Sequence, residues 1–221
     1  LARVARGRVF LPEYRLAPES PFPAALEDAV AAYRWLLEDE QVDPGHLAVT
    51  GDSAGGGLAV ALLCEVRDRD LPLPACYVGM SPWTDLAATG QSMTTMDGVD
   101  PWLRSDLVLP AAAAYAGGYA LDHPRVSPLY ADLGGLPPML VHAGTDEILY
   151  DDGRRLVERA RAAGVDASFG EFAQMWHVFH AFPGLPETRR ALREIGAFVR
   201  RHTSQSIRGA GVARPAGAEV A

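Results

Sequence analysis

Ser53 stands in Gly51-Asp52-Ser53-Ala54-Gly55-Gly56-Gly57, a G-x-S-x-G spacing that follows the apolar run HLAVT and precedes the helix-like LAVALLCEVRDRD. Two readings fit a serine there. In one it is a nucleophile on a sharp strand-to-helix turn, with glycine at 51 and 55 because neighbouring backbones crowd such a turn. In the other it is an N-cap, its side-chain oxygen accepting from the first N–H groups of the helix. A hydroxyl attacks poorly until a base takes its proton, and the base needs a carboxylate to orient it, so the first reading requires a histidine and an acid elsewhere in the chain. Asp146 lies just past the apolar run PPMLVHAG, and His177 lies after DASFGEF. Both positions follow the carboxyl end of a predicted strand, where ligands meet an open α/β sheet.

Each partner has rivals. Glu147, Asp151 and Asp152 are close to Asp146, but 151 and 152 open a predicted helix, where a carboxylate offsets the dipole without taking part in chemistry. His180 follows His177 by three residues in an aromatic setting (Trp176, Phe179, Phe182) that also suits a packed core histidine; His177 is preferred and His180 stays open. His142, inside a strand, reads as structural, and His46, His123 and His202 as surface or loop residues. Asp52 reads as a residue that hydrogen-bonds the turn. Trp83 in SPWTD fits either a pocket lining or a core aromatic, and Arg15 with Glu19 in YRLAPE makes at most a local pair worth roughly 0–1 kcal/mol if exposed.

These residues need a scaffold, and periodicity supplies one. RVFLPEY (8–14) reads as a short strand running into the proline-rich LAPESPFPA, followed by a helix over 24–40 that DPG ends. Strands are predicted over 46–52, 74–80, 137–144 and 166–172. Helices are predicted over 54–69, near 105–114, over 151–164 and over 186–203, with a long irregular stretch from 81 to 130. Strands that alternate with helices and are continuously apolar imply a parallel sheet covered by helices on both faces, which is the α/β class. The end of the chain, 203–221, is small, polar and rich in Gly, Ala and Pro and reads as a disordered tail.

Composition narrows the partners. A chain of 221 residues with 48% apolar residues suits one domain with a substantial core. The net charge of -8 comes from scattered acids, with no basic stripe to track phosphates, so nucleic acid is not an expected partner. All 20 basic residues are Arg. Cys64 and Cys76 show no metal-like spacing with His, so no metal is expected, and two cysteines without a framework suit a reduced cytoplasmic interior. No apolar run approaches the roughly 20 residues that cross a bilayer, so no membrane partner is expected. The chain begins at Leu1, runs almost at once into strand-like sequence and reads as one whose beginning is missing.

Taken together, YRLAPESPFPAALEDAVAAYRWL, GDSAGGGLA, SPWTDL, and GTDEILYDD followed by MWHVFHAF resemble the bacterial hormone-sensitive-lipase-like esterases of the α/β-hydrolase superfamily, from about Val9 to Arg201. The resemblance implies Ser53 as nucleophile, Asp146 as acid and His177 as base, and decides for His177 over His180. It implies hydrolysis of short to medium acyl esters without a cofactor, with a small-molecule ester as partner and a homodimer through the last strand and helix. It places a cap over about 82–125 and carries Trp83 and Val178 as candidate substrate-pocket residues. The family's HGG-type oxyanion motif, which precedes YRLAPE, has no counterpart here. Of the expected oxyanion donors the Ala54 N–H is present, and a single lost donor costs of order 10² to 10³ in rate, which leaves open an inactive fragment or a small-molecule-binding protein on the same fold, beside an amide or acetyl hydrolase with the same triad. The fold implied is therefore an α/β-hydrolase without strands 1 to 3 and with a partial cap. Its first strand, 8–14, should pair directly with 46–52 or stand without its usual neighbour.

Overall fold

A computed structural model describes residues 1–209, with side chains through 203. A short helix α1 (Ala2–Ala5) and an irregular run lead to α2 (Ala24–Glu38), β1 (Ala48–Asp52), α3 (Ser53–Asp68) and β2 (Cys76–Met80). A crossover then carries α4 (Ser92–Thr95) and α5 (Ser105–Ala116) before β3 (Met139–Gly144), α6 (Tyr150–Ala162), β4 (Ala167–Phe172) and α7 (Pro186–Gly209). Among the described residues there is one sheet of four strands in the order β1-β2-β3-β4. Every neighbouring pair is parallel, in registers such as Thr50 with Val78, Val78 with Leu140 and Leu140 with Ser168.

Alternation along each strand divides the core. Tyr77, Met139 and Val141 point to one face and pack with Val60 and Leu63 of α3 and Leu156 and Val157 of α6. Val78, Met80 and Leu140 point to the other, where Ile195 of α7 covers them. Both faces of β2 and β3 are thus apolar, which explains their continuous burial. In a third cluster, α2 packs on α3 and on Ala112 and Ala116 of α5, so the crossover is tied to the body of the fold.

The structure corrects the expected order in three places. Residues 8–14 form no strand; Val9, Phe10 and Leu11 are exposed on an irregular run, and among the described residues β1 pairs only with β2. A strand is stabilised by its ladder and by cross-strand contacts, and this run has neither. Second, Arg15 does not pair with Glu19. Its side chain reaches Asp28 on the first turns of α2 at 2.8 Å and Glu27 at 3.4 Å, and its backbone N–H also donates to Asp28. Third, α7 continues to Gly209, into the segment expected to be a disordered tail; positions 210–221 of that segment lie outside the described residues.

Candidate active site

Because the strands are parallel, their carboxyl ends meet along one edge, and the chemical residues gather there. Ser53 is the first residue of α3, directly after β1. Its φ of 51° lies in the left-handed region, and the N-cap position with extended backbone belongs to Asp52. An N-cap residue has extended backbone, so this geometry excludes the capping role for Ser53. A non-glycine residue in this region costs of order 1–3 kcal/mol, and the surroundings must enforce it. Two contacts do so. A Cβ on Gly51 would stand 2.2 Å from the Gly55 carbonyl oxygen, so the backbones on either side of Ser53 touch, and the Trp83 N–H donates to the Ser53 carbonyl at 2.8 Å. Gly57 allows the approach of that same segment, since a Cβ there would lie 1.9 Å from the Trp83 carbonyl oxygen.

Asp146 follows β3, and its backbone N–H donates to the Met175 carbonyl at 2.9 Å. Gln174 N–H donates to Thr145 Oγ1 at 2.8 Å, so the turns after β3 and β4 are stitched together, and His177 lies on the second. Ser53, Asp146 and His177 therefore stand at the ends of β1, β3 and β4. They are not joined into a finished relay: Asp146 Oδ1 accepts from Thr145 Oγ1 at 2.8 Å, while Nδ1 of His177 is buried without a hydrogen-bond partner. Catalytic hydrogen bonds are often long in the unliganded state and tighten once substrate is bound. Burial pushes His177 down to about 4, so its imidazole is neutral at pH 7, the form a base requires.

The sequence profile of a family described as the alpha/beta hydrolase fold matches residues 1–181. The chain belongs to the α/β-hydrolase family. Within it, the chain groups with the hormone-sensitive-lipase-like esterases. It resembles the crystal structure of an esterase from the bacterial hormone-sensitive lipase family with a TM-score of 0.89 and 52% identity, covering 91% of this chain and 68% of that one. It is 46% identical over 209 residues to an acetyl-hydrolase of Streptomyces hygroscopicus, covering 94% of this chain and 70% of the relative. It is 36% identical over 207 residues to an esterase of Acinetobacter venetianus, of which 66% is covered.

The acids that rival Asp146 in the sequence of this α/β-hydrolase, Glu147, Asp151 and Asp152, have structural partners. Asp152, fully buried, accepts from the Thr84 and Asp85 N–H groups, both at 2.7 Å, and Asp151 accepts from Ser92 N–H at 2.9 Å. Both hold the crossover onto α6. Burial raises Asp152 to about 8, against the pull of its two backbone donors. Burial also pushes Asp85 up, but bonds from Thr89, Tyr130 and Arg155 outweigh that and leave it below the usual carboxylate range. Glu147 is buried beside Ser81 and raised to about 8, chiefly by desolvation. Asp52, expected to hydrogen-bond the turn, is exposed and makes no capping bond from its side chain.

His180 is buried against His142, the two rings stacked 5.6 Å apart, and burial drives it to about 3. Trp83 is half-buried between two apolar clusters, its indole Nε1 buried without a partner. Val178 is 9% exposed, with a φ of 48°. Two residues near the site were not singled out from sequence. Tyr14 sets its hydroxyl 3.9 Å from where a Cβ on Gly55 would stand, and Trp102 on the crossover places its ring edge-on to His177 at 6.4 Å and to Phe182 at 5.7 Å. Only the position of Tyr14 in YRLAPE and of Trp102 in an aromatic-poor stretch marks them in the sequence.

Proposed function

We propose that this enzyme hydrolyses carboxylic esters with short to medium acyl chains through Ser53, His177 and Asp146. The observation that carries the reading is the left-handed Ser53 at the junction of β1 and α3, held by the Gly51–Gly55 approach and the Trp83 N–H. His177 takes the Ser53 Oγ proton as Oγ bonds to the ester carbonyl carbon. The oxyanion is met by the Ala54 N–H at the start of α3, where the helix dipole favours negative charge. The alcohol leaves with the proton from His177, and a water, deprotonated by His177, then releases the acid and restores Oγ–H. Asp146 orients the imidazole and offsets its cation in each half-reaction.

Trp83 and Val178 line the substrate pocket in this reading, and the crossover from about 82 to 125 caps the site. The uncharged ester needs neither a nucleic-acid nor a membrane partner, and among the described residues no helix is long and apolar enough to cross a membrane. The buried free thiols of Cys64 and Cys76 support a reducing, cytoplasmic setting. The outer edge of β4, beside α7, offers the surface for a homodimer. The relative named an acetyl-hydrolase favours a second reading, in which the same nucleophile removes acetyl groups, amides included.

The test is hydrolysis of p-nitrophenyl butyrate. Ser53→Ala abolishes it, and His177→Ala reduces it by roughly 10³-fold or more. Full turnover in either variant removes the triad reading, and matched acetyl ester and acetamide substrates separate the two leaving groups.

A further inference from the structure

The loop that carries His177 is held from beneath by a buried pair of side chains. The Val178 N–H donates to Ser81 Oγ at 3.1 Å, the Ser81 hydroxyl donates to Glu147 Oε2 at 2.7 Å, and the Gly144 N–H donates to the same carboxyl oxygen at 3.2 Å. Ser81 and Glu147 are both 0% exposed. A hydroxyl has one proton, and here it is directed to Glu147, so the Ser81 oxygen lone pair faces Val178. The chain of bonds therefore has one direction, from the N–H of the peptide that joins His177 to Val178 to the Glu147 carboxyl.

The backbone shows what this chain holds in place. Ser81 has φ 49° and Val178 has φ 48°. A β-branched residue in the left-handed region is an outlier that persists only when its surroundings over-determine it. Ser81 is in turn fixed to β3, its N–H donating to the His142 carbonyl at 2.7 Å. The end of β2, the turn after β3 and the His177 loop thus meet at one serine oxygen.

We propose that Ser81 and Glu147 are positioning residues for His177: they clamp the His177–Val178 peptide so that the imidazole is presented over the strand ends at a fixed height. Glu147 is needed as an acceptor at Oε2, not as a charge. Its other oxygen, Oε1, is buried without a partner and is the place for a proton. Burial raises Glu147 to about 8, so at neutral pH it is an uncharged acid that keeps its acceptor. A glutamine, with its amide oxygen at the Oε2 position, preserves the clamp, whereas alanine at 81 removes it.

The inference rests on His177 being the base, and the deciding measurement does not use turnover. The imidazole of His177 is followed by NMR through a pH titration in the wild type, Ser81→Ala and Glu147→Gln, with thermal melts to establish folding. In Ser81→Ala the released loop admits water, and the His177 pKa rises from about 4 toward the ordinary value near 6.5; in Glu147→Gln it stays where it was. An unchanged His177 titration in folded Ser81→Ala overturns the clamp, whatever the activity. If wild-type Ser53 is not labelled by a fluorophosphonate, it is the ester-hydrolase reading that falls, while the titration still decides the clamp. With that reading intact, Ser81→Ala lowers kcat by roughly 10- to 100-fold and leaves KM unchanged, as expected for a base displaced by about 1 Å.

Discussion

At the scale of single residues, steric contact between backbones distinguishes the proposed nucleophile Ser53 from a capping serine. The G-x-S-x-G spacing is legible in the sequence because it records that contact directly: glycine is required wherever a Cβ would strike main chain. Gly51→Ala would place a carbon 2.2 Å from the Gly55 carbonyl oxygen, with no flexible side chain to yield. The expected outcome is a loss of about 3 kcal/mol in urea denaturation and of most esterase activity, since the Ser53 backbone must move. Gly7→Ala, whose Cβ meets nothing within 4 Å, is the control and leaves both unchanged. The role inferred for Ser81 has no such mark in the sequence. It depends on a backbone N–H ninety-seven positions away and on two positive φ angles, and a serine at a strand end carries neither fact in its identity.

At the scale of elements, the run GTDEILYDD binds the crossover to the sheet. Asp146 and Glu147 belong to the turn after β3, while Asp151 and Asp152 open α6 and accept from Ser92, Thr84 and Asp85 of the crossover. The reading of 151 and 152 as helix-start carboxylates accounts for their place and misses their partners, because a tertiary acceptor cannot be seen from local spacing. Asp100 mirrors the arrangement by accepting from Ile148 N–H at 3.3 Å and from Trp102 N–H at 2.9 Å. Asp152→Ala leaves two buried N–H groups unpaired and should destabilise the protein by roughly 2–6 kcal/mol, at about 1–3 kcal/mol for each orphaned group. Asp152→Asn, which keeps an acceptor oxygen, should lose less than half as much in the same denaturation experiment. The strands β2 and β3 were legible because each is buried over its whole length, and the helices because they are amphipathic at helical period; β1 and β4 were marked by short β-branched or aromatic runs between breakers. Residues 8–14 carry the same apolar character but no ladder partner, and pairing is not encoded in one segment alone.

At the scale of the whole molecule, the buried ionisable groups set opposing slopes of stability with pH. His142, His177 and His180 are held by burial at about 4, 4 and 3, below the ordinary value near 6.5. Between about pH 4 and 6.5 the unfolded chain binds protons at these sites that the native protein refuses, so each histidine makes stability rise with pH by about 1.4 kcal/mol per pH unit. Glu147 and Asp152, raised to about 8, act in the opposite sense: the native protein keeps protons that the unfolded chain releases above about pH 4, so stability falls as pH rises toward 8. Three upward slopes exceed two downward ones until the unfolded histidines are a third deprotonated, at about pH 6, and above that the downward pair prevails. Stability should therefore peak at about pH 6. His180→Gln should flatten the acid limb by about one proton and Glu147→Gln the alkaline limb by about one, each about 1.4 kcal/mol per pH unit in denaturation midpoints taken from pH 4.5 to 8. His180 tests the acid limb cleanly because its ring is packed against His142, Phe172 and Phe179, with neither nitrogen hydrogen-bonded, so its replacement breaks no bond of the proposed relay. A variant slope equal to the wild type's would mean that His180 is protonated in the native protein and that this stacked pair is open to water.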